Sequence, residues 1–210
     1  MGRISFLFVL LFAISCQTTA PTPIQISTLV EKNNKTVSLY LSCTDGANYA
    51  PLKKGCDPAA LELSVKDTMS FAKIFISGDI KQPPGYDIYL ATALIYFRIG
   101  ERNTREYTEA EKIARQFFET QKASSGRSLD LARFYWAATT AGHAAWQWQY
   151  DRLSLSSAGV VDNSVDRKTE LLLILSEGRT ALISEILDGP RKVRLTDYLE
   201  VLSFITKSVD

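Results

Sequence analysis

Apolar and polar positions alternate along most of this chain with the spacing of amphipathic helices, and glycine and proline separate the segments. Asp57-Pro58 supplies an acceptor side chain followed by proline at the first helical position, which starts a helix running to about Ser77. Gln82-Pro83-Pro84-Gly85 separates it from a second helix over 87–99, ended by Gly100. Asn103 and Glu106 resemble a capping box that opens a third helix to about Gln121. A loop at Ser124-Ser125-Gly126 precedes a long fourth helix, capped by Ser128 and reaching Tyr150. After an irregular stretch over 153–163, helices are expected over 166–176, 179–187 and 197–207, divided by Gly178 and Gly189-Pro190. Residues 36–42 alternate polar and apolar like a short strand, although a helix beginning near Ser27 fits as well. The expected fold is all-α, about seven helices joined by short connections and packed as antiparallel hairpins.

The amino-terminal end has a different pattern. Arg3 precedes an apolar run of eleven residues over 4–14, and Ala13-Ile14-Ser15-Cys16 follows. A bilayer core takes about 20 helical residues to cross, so this run reads as a removable signal rather than a span. The four residues ending at Cys16 resemble the bacterial lipobox, with Ala13 where leucine is usual. That resemblance implies a signal peptide over 1–15, a diacylglyceryl thioether on Cys16 and an acylated amino terminus. Two or more acyl chains give stable anchoring, at about 0.8 kcal/mol per buried methylene. Gln17, rather than aspartate, implies sorting to the outer membrane, facing the periplasm. The alternative is an ordinary secreted protein whose cysteine merely lies near the cut. Residues 16–26, rich in threonine, proline and glutamine, read as the lipidated tether, and 27–210 as one helical domain.

Composition narrows the functions. Removing residues 1–15 leaves 195 residues, enough for one domain with a sizeable core, and 23 basic against 23 acidic side chains. That neutral balance argues against a nucleic-acid binder. Beyond Cys16 the only cysteines are Cys43 and Cys56, with twelve residues between them. In an exported chain the pair reads as a disulfide closing a short loop, worth about 3 kcal/mol. A metal site would need further ligands, and the chain has one histidine. No metal or other cofactor is expected.

Two stretches resemble helical-repeat families. Tyr89, Ala93, Tyr96 and Gly100, followed by Tyr107 and Ala110, match positions of a tetratricopeptide (TPR) repeat. The connection from Gly100 to Tyr107 is about four residues too long for that pattern, and Ala114 stands where a large residue is usual. The resemblance implies a right-handed stack of degenerate repeats with a concave binding surface, formed here from 89–118 and 131–150. The bland alternative is a generic helical bundle. Leu131-Ala132-Arg133-Phe134-Tyr135-Trp136-Ala137-Ala138, with Gly142 and Trp146, resembles the Tyr-Trp region of the TatT family. Those are TPR-like periplasmic lipoproteins associated with substrate-binding subunits of TRAP transporters.

The fourth helix holds the expected site. Trp136, Thr140, His143, Gln147 and Tyr150 recur at steps of four, three, four and three residues, which puts them on one helical face. Such a stripe either lines a groove for a peptide or small ligand, or packs against neighbouring helices. Ala138, Ala141, Gly142 and Ala145 lie on other faces and are expected to pack closely. Catalysis finds little support. No serine or cysteine stands in an elbow near His143, and Glu109 with Glu111, or Asp162 with Asp166, read as helix-start and solvated charges. Gly85, Gly100, Gly126, Gly178 and Gly189 punctuate helices and form no phosphate loop. The expected function is a non-enzymatic envelope adaptor for a protein or peptide partner; the alternative is a transport-accessory protein of the TatT kind that binds a small ligand or a solute-binding protein.

Overall fold

The computed structural model describes residues 22–44, 52–77, 83–99, 104–123, 126–155, 165–184 and 187–208. The signal peptide over 1–15, Cys16 and residues 17–21 of the tether lie outside them, as do Gly100, Asn103 and most of the irregular stretch. The described residues form seven α-helices and no strand: α1 Pro23–Cys43, α2 Pro58–Ala72, α3 Pro83–Arg98, α4 Thr104–Gln121, α5 Arg127–Leu155, α6 Val165–Ile183 and α7 Gly189–Ser208. A 3-10 turn, Lys73–Phe75, extends α2. No helix among the described residues is long and apolar enough to cross a membrane.

The start of α2 follows its sequence signal. Asp57 accepts from the backbone N–H groups of Ala59 and Ala60, and Pro58 takes the first position of α2. Several expectations need correction. Helix α3 begins at Pro83, so Pro83, Pro84 and Gly85 form its first turn rather than a separator, and α5 begins at Arg127, which puts Ser128 inside the helix and not at its cap. Of the two readings open for residues 36–42 the helix holds, but α1 begins at Pro23 rather than near Ser27, so residues 23–26 of the expected tether form its first turn. Thr22 and Gln25 close a reciprocal capping box there, satisfying donors that the first turn leaves bare. The helices expected over 166–176 and 179–187 are one, α6, and Gly178 does not break it. A Cβ at Gly178 would come within 2.5 Å of Leu199 Cδ2, so this glycine admits an α7 side chain instead of ending a helix. Finally, α7 starts at Gly189 rather than near Asp197, with Asp188 accepting from the Arg191 N–H at 2.9 Å.

Each helix packs on the next in sequence. In addition α1 approaches α3, α3 approaches α5, and α5 approaches α7, whereas the backbones of α2, α4 and α6 stay apart from one another. The odd-numbered helices therefore make one layer and the even-numbered helices a second. Helix α5 lies at the centre, in contact with α3, α4, α6 and α7. Trp136 of α5, Tyr86, Tyr89 and Tyr96 of α3 and Phe117 of α4 are among the largest fully buried side chains. The residues of the TPR-like hairpin that are described, Tyr89, Ala93, Tyr96, Tyr107 and Ala110, are all buried in this α3–α4 pair or beside it.

At the first helix the seam is narrow. Only Leu29, Thr36 and Cys43 of α1 are buried, seven residues apart. Thr36 Oγ1 meets Ser64 Oγ at 2.7 Å and Thr68 Oγ1 at 2.9 Å, which joins α1 to α2 through a small polar contact. The Cys43–Cys56 disulfide forms, with Cα atoms 5.0 Å apart, and ties the end of α1 to the start of α2. Lys53 N–H donates to the Cys43 carbonyl at 2.9 Å inside the loop it closes.

Candidate functional site

Helix α5 turns two opposite faces to its neighbours. At about 100° per residue, Trp136, Thr140 and His143 share one side, and Ala138, Ala141, Gly142 and Ala145 share the other.

The first side faces α4 and α6 and is filled. Trp136 packs on Phe118, ring centroids 4.7 Å apart, and is 1 % exposed. Thr140 and His143 are buried as well. His143 donates Nδ1–H to Glu111 Oε2 at 2.5 Å, and Arg167 Nη1 of α6 donates to Glu111 Oε1 at 2.7 Å. Burial pushes the Glu111 carboxyl upward, but the hydrogen bonds and charges of His143 and Arg167 outweigh it and hold the group at about 2. The Arg167 guanidinium is in turn favoured in its charged form: desolvation opposes the charge, and contacts with Glu111 and Glu170 more than restore it. Arg115 reaches Glu170 at 3.1 Å, so charged side chains connect α4 to α6 where their backbones do not meet. Trp136 Nε1, Thr140 Oγ1 and His143 Nε2 are buried without a hydrogen-bond partner among the described residues.

The second side borders a cavity of about 430 Å³. Its floor is the four small residues of α5, whose side chains reach no further than Cβ. Leu94, Phe97 and Arg98 of α3 form one wall together with Tyr107 of α4; Arg194, Asp197, Tyr198 and Val201 of α7 form the other. Tyr40 of α1, Thr44 just past its end and Leu52 of the disulfide loop complete it, so the bridge at Cys43 and Cys56 holds part of the wall. Phe97 and Tyr107 stack with centroids 4.0 Å apart and planes 21° apart. The Arg98 guanidinium donates to the Tyr40 hydroxyl and lies 5.7 Å from the centre of that ring. The cavity thus opens on the layer of odd-numbered helices, each of which contributes to it.

The expected binding stripe divides accordingly. Trp136, Thr140 and His143 come together, but inside the α4–α5–α6 interface and not in the cavity. Gln147 is half-buried, and the side chain of Tyr150 lies outside the described residues. The small residues expected only to pack closely are the ones that line the cavity. Burial explains the exchange: large amphipathic side chains fill the side toward α4 and α6, and small ones leave space on the side toward α3 and α7. Sequence reasoning missed Tyr40, Arg98, Arg194 and Tyr198, which three helices, α1, α3 and α7, bring together from distant positions. The one usable signal was glycine at 142 in the middle of a long helix.

His143 oriented by a carboxylate has the layout of a general base. Its ring is buried and does not border the cavity, however; Tyr107, which does, stacks on it at 6.2 Å. The pair therefore braces the cavity wall from behind. Among the described residues no group of three or more histidine, cysteine, aspartate or glutamate side chains is placed to hold a metal ion. A cavity of this volume, walled by rings and aliphatic side chains and edged by a few charged groups, has the size and character of a small-molecule site. No family model, curated protein or solved structure matches the chain.

Proposed function

We propose that this chain is a non-enzymatic binding protein of the bacterial cell envelope, lipid-anchored through Cys16, that holds a small ligand in the cavity above the small-residue face of α5. This is the transport-accessory reading, in which the domain presents or receives a solute on the periplasmic side of the outer membrane. The cavity is the observation that carries it: about 430 Å³ lies within the range of small-ligand sites, and all four odd-numbered helices contribute to its lining. Lipobox-like residues at 13–16 supply the anchor, and the neutral charge balance removes nucleic acid from consideration.

Native mass spectrometry of the protein released from its own membranes tests the reading. A bound small molecule is expected on the wild type and absent from a Gly142→Leu variant that keeps its helical circular dichroism. Equal occupancy in both, or none in either, contradicts the cavity as the site. Replacing Cys16 with serine is expected to move the protein from the membrane to the soluble fraction.

A second reading, the adaptor for a protein partner, is favoured by a different observation. Leu172, Leu173 and Ile183 of α6 and Val193 and Phe204 of α7 are exposed apolar side chains at one end of the array. Terminal units of stacked helices ordinarily turn a polar face outward. Substituting Ile183 and Val193 with lysine separates the readings: it abolishes partner capture if the adaptor reading holds, and leaves cavity occupancy unchanged.

A further inference from the structure

The start of α1 exposes an apolar surface that carries no charge. Ile24 is 77 % exposed, Ile26 39 % and Val30 45 %. At about 100° per residue these three share with Pro23 and Ser27 an arc of about 160°, on the side away from the buried Leu29. No aspartate, glutamate, lysine or arginine occurs from residue 4 to residue 30. The exposed Leu63 of α2 and Val193 of α7, by contrast, adjoin Glu62 and the pair Lys192 and Arg194.

The polar groups of these turns are bonded within the helix. Thr22 N–H donates to Gln25 Oε1 at 2.8 Å, Gln25 N–H donates to Thr22 Oγ1 at 3.3 Å, and Pro23 brings no N–H of its own. The Ser27 and Thr28 hydroxyls both donate to the Ile24 carbonyl at 2.9 Å. A helix end satisfied in this way loses little on entering a poorly hydrated layer. Charge begins only after Val30, with Glu31 and with Lys32, which pairs with Asp67 of α2 at 2.5 Å.

Chain length says what covers this face. Six residues separate Cys16 from Pro23, and fully extended they span about 20 Å. A lipid on Cys16 therefore keeps the first turn of α1 close to the bilayer surface, where a second contact is intramolecular and forms at high effective concentration. We infer that the exposed face of residues 23–30 rests in the headgroup–acyl boundary of the bilayer that holds the anchor. The inference rests on the lipid anchor proposed above and adds a second attachment, so that two points rather than one fix how the domain stands on the membrane. With no basic residue on the face, apolar burial drives the contact and anionic lipid is not required.

Ile24→Cys, Val30→Cys and, as a control, Leu63→Cys test this, each carrying an environment-sensitive fluorophore on the lipidated protein in phosphatidylcholine vesicles. Leu63 is itself 71 % exposed, so the control differs in place and not in apolar character. Labels at 24 and 30 are expected to shift to shorter wavelength and to be quenched by brominated acyl chains about twofold more than the label at 63, equally at low and high salt. Wild-type protein should take no label, because Cys16 carries lipid and Cys43 and Cys56 are bonded to each other. Labels at 24 and 30 that stay in water, on protein whose Cys16 refuses the label, overturn the contact and leave the anchor standing. Labelling of the wild type at Cys16 overturns the anchor and the contact with it. A shifted emission that brominated lipid does not quench means that a second copy of the chain covers the face, and quenching that requires phosphatidylglycerol means that charge carries the contact; either result overturns the inference.

Discussion

The two sides of α5 use the same helix for opposite ends. Toward α4 and α6 it presents Trp136, Thr140 and His143, which meet Phe118 and the Glu111–Arg167 pair and leave no room. Toward α3 and α7 it presents Ala138, Ala141, Gly142 and Ala145, which leave a cavity of about 430 Å³. The chemically richer side is the structural one, because a large amphipathic side chain is what a tight interface between three helices requires. The plainer side leaves open space, and the charged and aromatic groups around that space come from other helices. The stripe of aromatic and polar residues on α5 thus lies within a helix interface, and the cavity lies on the opposite side of the same helix.

The comparison yields predictions of decreasing size. Trp136→Ala should remove the largest buried side chain of the filled face and lower stability by about 4 kcal/mol in urea unfolding. Any loss of ligand binding in that variant should follow the unfolded fraction; a loss in fully folded protein would mean that Trp136 touches the ligand. Replacing Cys43 and Cys56 together with alanine should cost about 3 kcal/mol. Because Thr44 and Leu52 line the cavity beside that bridge, affinity should fall as well, which a titration under reducing conditions reads without mutation.

Glu111→Gln is expected to cost about 2 kcal/mol at neutral pH, since the amide keeps the shape and loses the charge-assisted bonds. The wild type should show a matching acid dependence. The carboxyl is held at about 2 in the fold against 4.5 for the free group, so the unfolded chain takes up the proton first as pH falls. The stabilisation is complete above about pH 4.5 and is lost between there and pH 2. Chemical denaturation across that window should reveal this loss in the wild type and a shallower one in the variant. Gly142→Ala has the smallest expected effect and the most telling sign: stability should rise by about 0.5 kcal/mol while ligand binding weakens. A rise in both would show that the missing side chain has no bearing on the site.

Much of the fold was legible before any coordinates, because helix starts depend on local chemistry. Asp57-Pro58 is an acceptor and a fixed φ at the right spacing, and it acts as such. Helix α1 was ambiguous for a physical reason: with a buried seam of Leu29, Thr36 and Cys43 only, it shows almost none of the broad apolar face that marks a packed helix. At Gly178 the sequence cannot distinguish a helix end from a close approach, and Leu199, some twenty residues later, decides it. The site was less legible still. The side-chain series on α5 announces one face, but which face is covered depends on where α4, α6 and α7 lie. Tyr40, Arg98 and Arg194 become neighbours only through the stacking of odd-numbered helices.

Methyl-alanine NMR of the protein with its co-purified small molecule, compared with protein freed of it, tests most directly the claim that the small-residue face of α5 is the binding face. Ala138, Ala141 and Ala145 should show the largest shift changes, while Ala132 and Ala144, buried elsewhere on the same helix, should hardly move. Shifts concentrated at Ala144 and the neighbouring His143 ring, or no shift at the three floor alanines, would contradict the account.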